Sequence, residues 1–185
     1  MTTDISQNLP GVLAWAPAAD RPDLLAAPTV ATLTDLDIAA YVAPIDAALA
    51  DTEAFCRAYQ VPEETSANCV IVQGKRAGEE HTAAVLVRAS DRADVNRTVR
   101  KHLGVRKASF APREFAVGNT GMEYGGITPV GLPAGWPLLV DDAVAALAWA
   151  VVGSGIRGSK LAVRGADLSR LPGAEFLALA LPAEG

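Results

Sequence analysis

The sequence predicts a mixed-sheet α/β or α+β domain rather than a regularly doubly wound one, and three observations carry that reading. The chain has 185 residues, enough for one core. Half of them are hydrophobic and 20% are charged, with mean hydropathy +0.22, which excludes a disordered or tail-like protein. Short apolar runs bounded by Gly, Pro and polar residues recur, most densely in the second half, and helical periodicity is interspersed among them without strict alternation.

Each element follows in order. Pro22 suits the first turn of a short helix running from Arg21 to about Leu36 through Leu24, Leu25 and alanines. Ile38 to Ile45, with Tyr41 and Val42 and ending at Pro44, reads as a short peripheral strand. Asp51 and Thr52 are N-cap types ahead of a helix from Glu53 to Tyr59, where Phe55 and Tyr59 share a face and Pro62 closes it. Cys69 to Val72 and Thr82 to Val87 are strands around a seven-residue loop, a hairpin. Ser90 or Asp91 would cap a helix in which Val95, Val99 and Leu103 recur, with Gly104 at its end and Arg92, Arg97, Arg100 and Lys101 on the other face. Val105 to Ala111 adds a strand, and Pro112 opens a helical turn to Val117.

From Gly118 to Pro137 the chain carries six glycines and three prolines. A loop of that length in a compact domain is uncommon, and its exposed backbone N–H and C=O groups suit recognition. Leu138 to Val140, Ala148 to Val152, Lys160 to Val163 and Glu175 to Leu181 supply further strands, with Asp141 and Asp142 as caps and a helical segment from Asp167 to Leu171.

The net charge of −5 is unevenly spread: residues 1–64 sum to −8 and residues 65–185 to +3. Around Arg92 to Lys107 bases far outnumber acids, which is open to two readings, a solvated helix face or a polyanion contact. Overall acidity argues against tight nonspecific binding to duplex DNA. No apolar run approaches the roughly 20 residues of a bilayer span, and the acidic N-terminus is unlike a signal peptide, so a cytoplasmic protein without a membrane partner is expected. Cys56 and Cys69 suggest neither a disulfide framework nor a zinc site, and no cofactor or metal is expected.

Familiar chemistries do not fit. Gly153, Gly155 and Gly158 match G-x-G-x-x-G formally, but a strand follows where that fingerprint demands a helix. His81 and His102 stand apart from Cys and carboxylates in sequence, and no G-x-S-x-G elbow supplies a triad serine. Asp141 and Asp142 read more simply as helix caps than as acid–base carboxylates.

The run from Thr120 to Gly131 (TGMEYGGITPVG), followed by Leu139-Val140-Asp141 and then Gly153-Ser154-Gly155, resembles the YbaK/prolyl-tRNA synthetase-associated family of aminoacyl-tRNA deacylases. The resemblance covers about Ala40 to Leu181. It implies a mixed sheet forming a partly closed barrel with surrounding helices, spanning residues 37–185, with residues 1–36 as an N-terminal helical extension. It also implies a free-standing trans-editing hydrolase that cleaves the ester of mischarged aminoacyl-tRNA, such as Ala- or Cys-tRNA specific for proline. The partners implied are aminoacyl-tRNA and an aminoacyl-tRNA synthetase.

Catalysis in the family is thought to rest on positioned water, backbone groups and the substrate's own hydroxyl, which matches the missing triad. The resemblance assigns catalysis to Asn68, Gly125 and Gly126, and substrate binding to Ile127, Thr128, Pro129, Gly131, Asp141, Gly153, Ser154 and Gly155, with Asp141 holding the loop. Arg97, Arg100 and Lys101 are candidate tRNA contacts by charge alone. Asn68 departs from the family, which carries a functional lysine at that strand position. A binding module that has lost the chemistry is the alternative this raises, with Lys75 and Arg76 as possible replacements for the missing charge.

Overall fold

The computed structural model describes residues 8–182, which build two main sheets and a small one. In chain order the elements are β1 (Ala16–Pro17), α1 (Ala27–Asp35), β2 (Tyr41–Pro44), α2 (Thr52–Tyr59), β3 (Ala67–Arg76), β4 (Glu79–Arg88) and β5 (Asp91–Ala93). A π-turn over Val95–Val99 runs into α3 (Arg100–Leu103), then come β6 (Ala108–Phe110), α4 (Arg113–Thr120), β7 (Leu138–Asp141), α5 (Asp142–Ala145), β8 (Ala150–Gly153), β9 (Ser159–Val163), β10 (Ala174–Leu177) and β11 (Ala180–Pro182).

One sheet has the order β1-β2-β9-β8, antiparallel throughout. The other has the order β10-β7-β4-β3-β6, in which β7 pairs in parallel with both β10 and β4. Mixed pairing with helices between strands is the α+β architecture the sequence predicts. A single bridge, Ser66 to Val151, joins the start of β3 to β8, so the two sheets form a partly closed wall. The main core lies between them, with Val42, Leu161 and Val163 from one and Ile71, Leu86, Leu138 and Val140 from the other. A second cluster, built on Val72, Val85 and Leu139, is covered by Val95, Val99 and Leu103.

Several local readings are corrected. The β3–β4 hairpin has no seven-residue loop: both strands continue through their charged ends to a two-residue turn at Ala77-Gly78, with φ of 52° and 86°. These positive values match the primed turns that follow strand twist. Asp91 does not cap the basic helix. It pairs in β5 with β11, Arg92 goes with it, and Asp94 caps the π-turn by accepting from Arg97 N and Thr98 N, both at 3.2 Å. The strand at Tyr41 to Pro44 is interior, between β1 and β9. Helix α4 extends into the glycine-rich stretch as far as Thr120, so the long loop begins at Gly121.

The segment before residue 37, expected to lie outside the domain, is part of it: Leu25 and Leu33 are buried in the main core and Leu24 packs against it. Its Thr29 hydroxyl donates to Val130 O at 3.0 Å, and its Leu24 carbonyl accepts from the Ser159 hydroxyl at 2.6 Å. Sequence reading missed this because the partners that hold the segment, Val130 and Ser159, lie more than a hundred residues further along the chain.

Candidate functional site

Strand β3 has two different neighbours along one edge. Its start meets β8 only at the Ser66–Val151 bridge, and its far half pairs with β6 through Val72 to Gly74. Between these contacts, Ala67 to Ile71 lack a partner strand on that side, and a cavity of about 520 Å3 opens along them. Ile71 turns its carbonyl toward this side to accept from Ala111 N at 2.8 Å. The two-residue alternation of strand hydrogen bonding therefore points the Cys69 N–H and C=O the same way, into the gap. The size suits a small organic group and its immediate attachment.

Three other walls complete the pocket. Ala50, Asp51 and Thr52, at the start of α2, form one. Gly153 and Lys160, directly paired across the β8–β9 hairpin, form the second. Phe110, Ala111, Arg113 and Ala116 form the third, and Tyr124, Gly125 and Ile127 of the glycine-rich loop lie over the opening. Phe110 and Tyr124 are 64% and 51% exposed, and the Arg113 guanidinium sits 4.1 Å from the Tyr124 ring centroid. An aromatic and arginine rim of this kind offers stacking faces to a planar group.

The structure brings Asn68, Gly125, Ile127 and Gly153 to the cavity wall. It places other expected site residues behind that wall. The Gly126 N–H already donates to Glu123 O at 3.0 Å, and its carbonyl accepts from Gly155 N at 2.7 Å, so its backbone fastens the loop to the β8–β9 turn. A side chain there would meet Ile156 C at 2.5 Å, which explains the glycine. Thr128 is fully buried and its hydroxyl accepts from Val130 N at 3.4 Å. Pro129 leads to Gly131, which has φ +98° and abuts the Pro28 carbonyl of α1. The Ser154 hydroxyl lies 2.6 Å from that of Ser159 and donates to Ile156 O at 3.0 Å, bracing the turn with Gly155.

Asp141 does not hold the loop. It is 4% exposed, caps α5 by accepting from Ala143 N at 3.0 Å, and anchors the C-terminal strand by accepting from Leu179 N at 2.9 Å and Ala180 N at 3.0 Å. Arg97, Arg100 and Lys101 are exposed on the face of the π-turn and α3 opposite Val95, Val99 and Leu103, and none of them lines the cavity.

Neither Lys75 nor Arg76 replaces charge near Asn68. Lys75 pairs with Glu80 at 3.7 Å and Arg76 reaches Leu103 O at 3.5 Å. Both lie seven or more residues along β3, about 23 Å away at strand rise. The cations that do line the pocket are Arg113 and Lys160. Sequence reading placed Lys160 only at the start of an apolar strand; a single lysine at the head of such a run is a weak signal, though an available one.

Asn68 accepts from the Thr52 hydroxyl at 2.7 Å, and Lys160 Nζ donates to Ala50 O at 3.2 Å, so both side chains converge on the start of α2. Arg157, in the β8–β9 turn, closes the same corner. Its Nε donates to Ala47 O at 2.9 Å, its guanidinium is 3.5 Å from Asp51, and its backbone N–H donates to Glu123 Oε2 at 2.7 Å.

Burial pushes the Cys69 thiol up to about 12 and raises that of Cys56 as well, so neither is a thiolate near neutrality. Burial lowers the Lys160 amine from its ordinary value. His102, apart from carboxylates in sequence, meets Glu175 at 2.9 Å, and neither lines the cavity. No helix among the described residues is long and apolar enough to cross a membrane.

Comparison with known proteins identifies the wider group. The aminoacyl-tRNA editing domain family matches residues 46–171, more than half of the chain. A search of curated proteins found no match. Among solved structures, one described as "Crystal structure of a putative trans-editing enzyme for prolyl tRNA synthetase" superposes with a TM-score of 0.70 at 18% identity, covering 90% of this chain and 98% of its own. The hypothetical protein APE2540 superposes at 0.71 with 20% identity, covering 80% and 96%. A structure from work on epitope backbone grafting onto scaffold proteins reaches 0.71 with 17% identity, covering 84% and 97%. At these identities the structural likeness speaks for the fold, and the family match speaks for descent: the chain belongs to the aminoacyl-tRNA editing domain family.

Proposed function

We propose that this protein is an aminoacyl-tRNA deacylase that edits in trans, hydrolysing the ester between a wrongly attached amino acid and the 3'-terminal adenosine of a tRNA. Alanyl- or cysteinyl-tRNA specific for proline is the substrate expected first. The observation that carries this reading is the editing-domain match across the very segments that wall the cavity, from the start of α2 to the β8–β9 hairpin.

The chemistry is attack of water on the ester carbonyl carbon, collapse of the tetrahedral intermediate, and departure of the ribose hydroxyl. The lining supplies Cys69 as a protonated thiol, so a covalent acyl-enzyme through sulfur is disfavoured. Catalysis by position then falls to donors aimed at the carbonyl oxygen, of which the Cys69 N–H on the free edge of β3 is one. The exposed rim of Phe110, Tyr124 and Arg113 suits the terminal adenine. Arg97, Arg100 and Lys101 are offered as contacts for the tRNA body, beyond the pocket, and a synthetase as the partner that delivers the mischarged tRNA.

The test is deacylation of a panel of mischarged tRNAs, starting with alanyl- and cysteinyl-tRNA specific for proline, by wild type and by G126V. Hydrolysis of one substrate, reduced at least 100-fold in a G126V protein that still melts cooperatively, is the expected outcome. Binding without hydrolysis across the panel favours the alternative, a binding module in which Asn68 has replaced the family lysine.

A further inference from the structure

Lys160 is 8% exposed, yet it lines the cavity. Within the described residues its amine has one hydrogen-bond acceptor, Ala50 O at 3.2 Å, and it lies 4.9 Å from the Phe55 ring centroid. An ammonium has three N–H donors, and carrying a charge away from water is costly unless those donors are satisfied. One carbonyl and one ring face do not satisfy three. No carboxylate among the described residues is paired with it: Asp51 is the acid at this corner, and it is directed to Arg157 at 3.5 Å. The sheet offers none either, since Lys160 sits between Ala43 of β2 and Gly153 of β8. The hairpin register fixes its backbone, and Phe55 and the Ala50 carbonyl fix its end.

We propose that Lys160 is the charged donor of the pocket, its Nζ hydrogen-bonding the carbonyl oxygen of the bound aminoacyl ester and stabilising the oxyanion that water attack creates there. This rests on the deacylase reading above. The role is catalytic in the strict sense, contact with the reacting atoms. It would supply positive charge from β9 to a pocket whose β3 wall carries only the neutral Asn68. The proton stays on nitrogen: the new C–O bond comes from water, the C–O bond to the ribose breaks, and Lys160 neutralises the developing charge without a covalent bond to the acyl group.

The groups around Nζ that can titrate or carry charge are Cys56 of α2, Asp51, Arg157 and, across the cavity, Cys69, Arg113 and Tyr124. With the Cys69 thiol pushed up to about 12, the Cys56 thiol and the Tyr124 phenol are the acidic groups to remove as controls. In the K160M protein, which keeps the length of the stem, kcat on the best substrate of the panel is expected to fall at least 100-fold with KM within about threefold. A K160M enzyme within threefold of wild type in kcat overturns the proposal and leaves the deacylase reading standing.

A binding arm decides the case in which wild type hydrolyses nothing, or in which K160M does not fold. The probe is 3'-deoxy-3'-propionamidoadenosine, an amide mimic whose acyl group has no titrating amine. Wild-type affinity is expected to fall as pH rises toward 10.5, with a midpoint below that ordinary lysine value, and to do so equally in C56S and in Y124F, which keeps the stacking ring. Affinity that is flat with pH, or a fall that disappears in C56S or in Y124F, overturns the role of Lys160. Where K160M folds, a tenfold loss of probe affinity supports it and equal affinity overturns it.

Discussion

Cys69, half-buried in the cavity wall, shows how one desolvated side chain writes itself into the pH dependence of the whole chain. Its folded value lies near 12 against an ordinary thiol value of 9.0, and desolvation is the cause. A raised folded value means that the unfolded chain gives up a proton the folded one keeps. The contribution to stability is therefore complete below pH 9 and is lost progressively as pH rises toward 12. The slope is at most about 1.4 kcal/mol per pH unit. Urea unfolding near pH 8 and again near pH 10.5 should show wild type losing roughly 2 kcal/mol more than C69A over that interval. An unchanged difference between the two proteins would mean that water reaches the thiol. Asp141 works through geometry: a buried carboxylate whose three backbone donors tie β7, α5 and the C-terminal strand together, where a neutral amide would satisfy fewer of them.

At the scale of elements, the β8–β9 hairpin and the glycine-rich loop behave as one unit. Gly155 N donates to Gly126 O, and Glu123 accepts from Arg157 N, so the loop is clamped at both ends of the turn. Gly153 has to be glycine because a Cβ there would meet the carbonyl oxygens of Gly126 and Ile127, each at 2.5 Å. The variant G153A is expected to lower stability by about 1–3 kcal/mol through forced separation of hairpin and loop. It should also depress deacylation by more than the unfolded fraction explains, since Gly153 and Ile127 both face the cavity. Measuring urea midpoint and kcat/KM together tests this; a stability loss with normal turnover would detach the clamp from the site. The basic turn at Val95–Val99 teaches a different lesson. Its apolar spacing was legible, but its start was not, because pairing of Asp91 to Ala93 with a strand ninety residues later overrode the local capping signal.

For the molecule as a whole, the segment before residue 37 is the test of where the domain begins. It contributes Leu25 and Leu33 to the main core, places Pro28 against Gly131 and Ala26 against Gly155, and so backs the very loops that wall the pocket. Removing residues 1–36 should abolish cooperative thermal unfolding rather than trim an appendage. A truncated protein that melts as sharply as the full chain would show that the remaining core closes without it. The partly closed wall then explains why the pocket sits where it does. Two sheets joined by one bridge leave the middle of β3 uncovered, and an uncovered strand edge along a cavity presents unpaired backbone groups to a ligand.

The sequence by itself determined the α+β class, the glycine-rich loop, the hairpin core at Cys69 to Val72 and Thr82 to Val87, and the family, because these depend on periodicity and on residue types read within short windows. Through the family resemblance it also singled out Asn68, Gly125, Ile127 and Gly153, which the fold sets around one cavity. Only the tertiary structure decided that Gly126, Thr128, Pro129, Gly131, Ser154 and Gly155 stand behind the wall, that Asp141 belongs to a different junction, and that Lys160 enters the pocket. The physical reason is range. A glycine's fit depends on whichever backbone approaches it, and a buried lysine is recognised by its surroundings; here those surroundings come from Ala50 and Phe55, more than a hundred residues away along the chain.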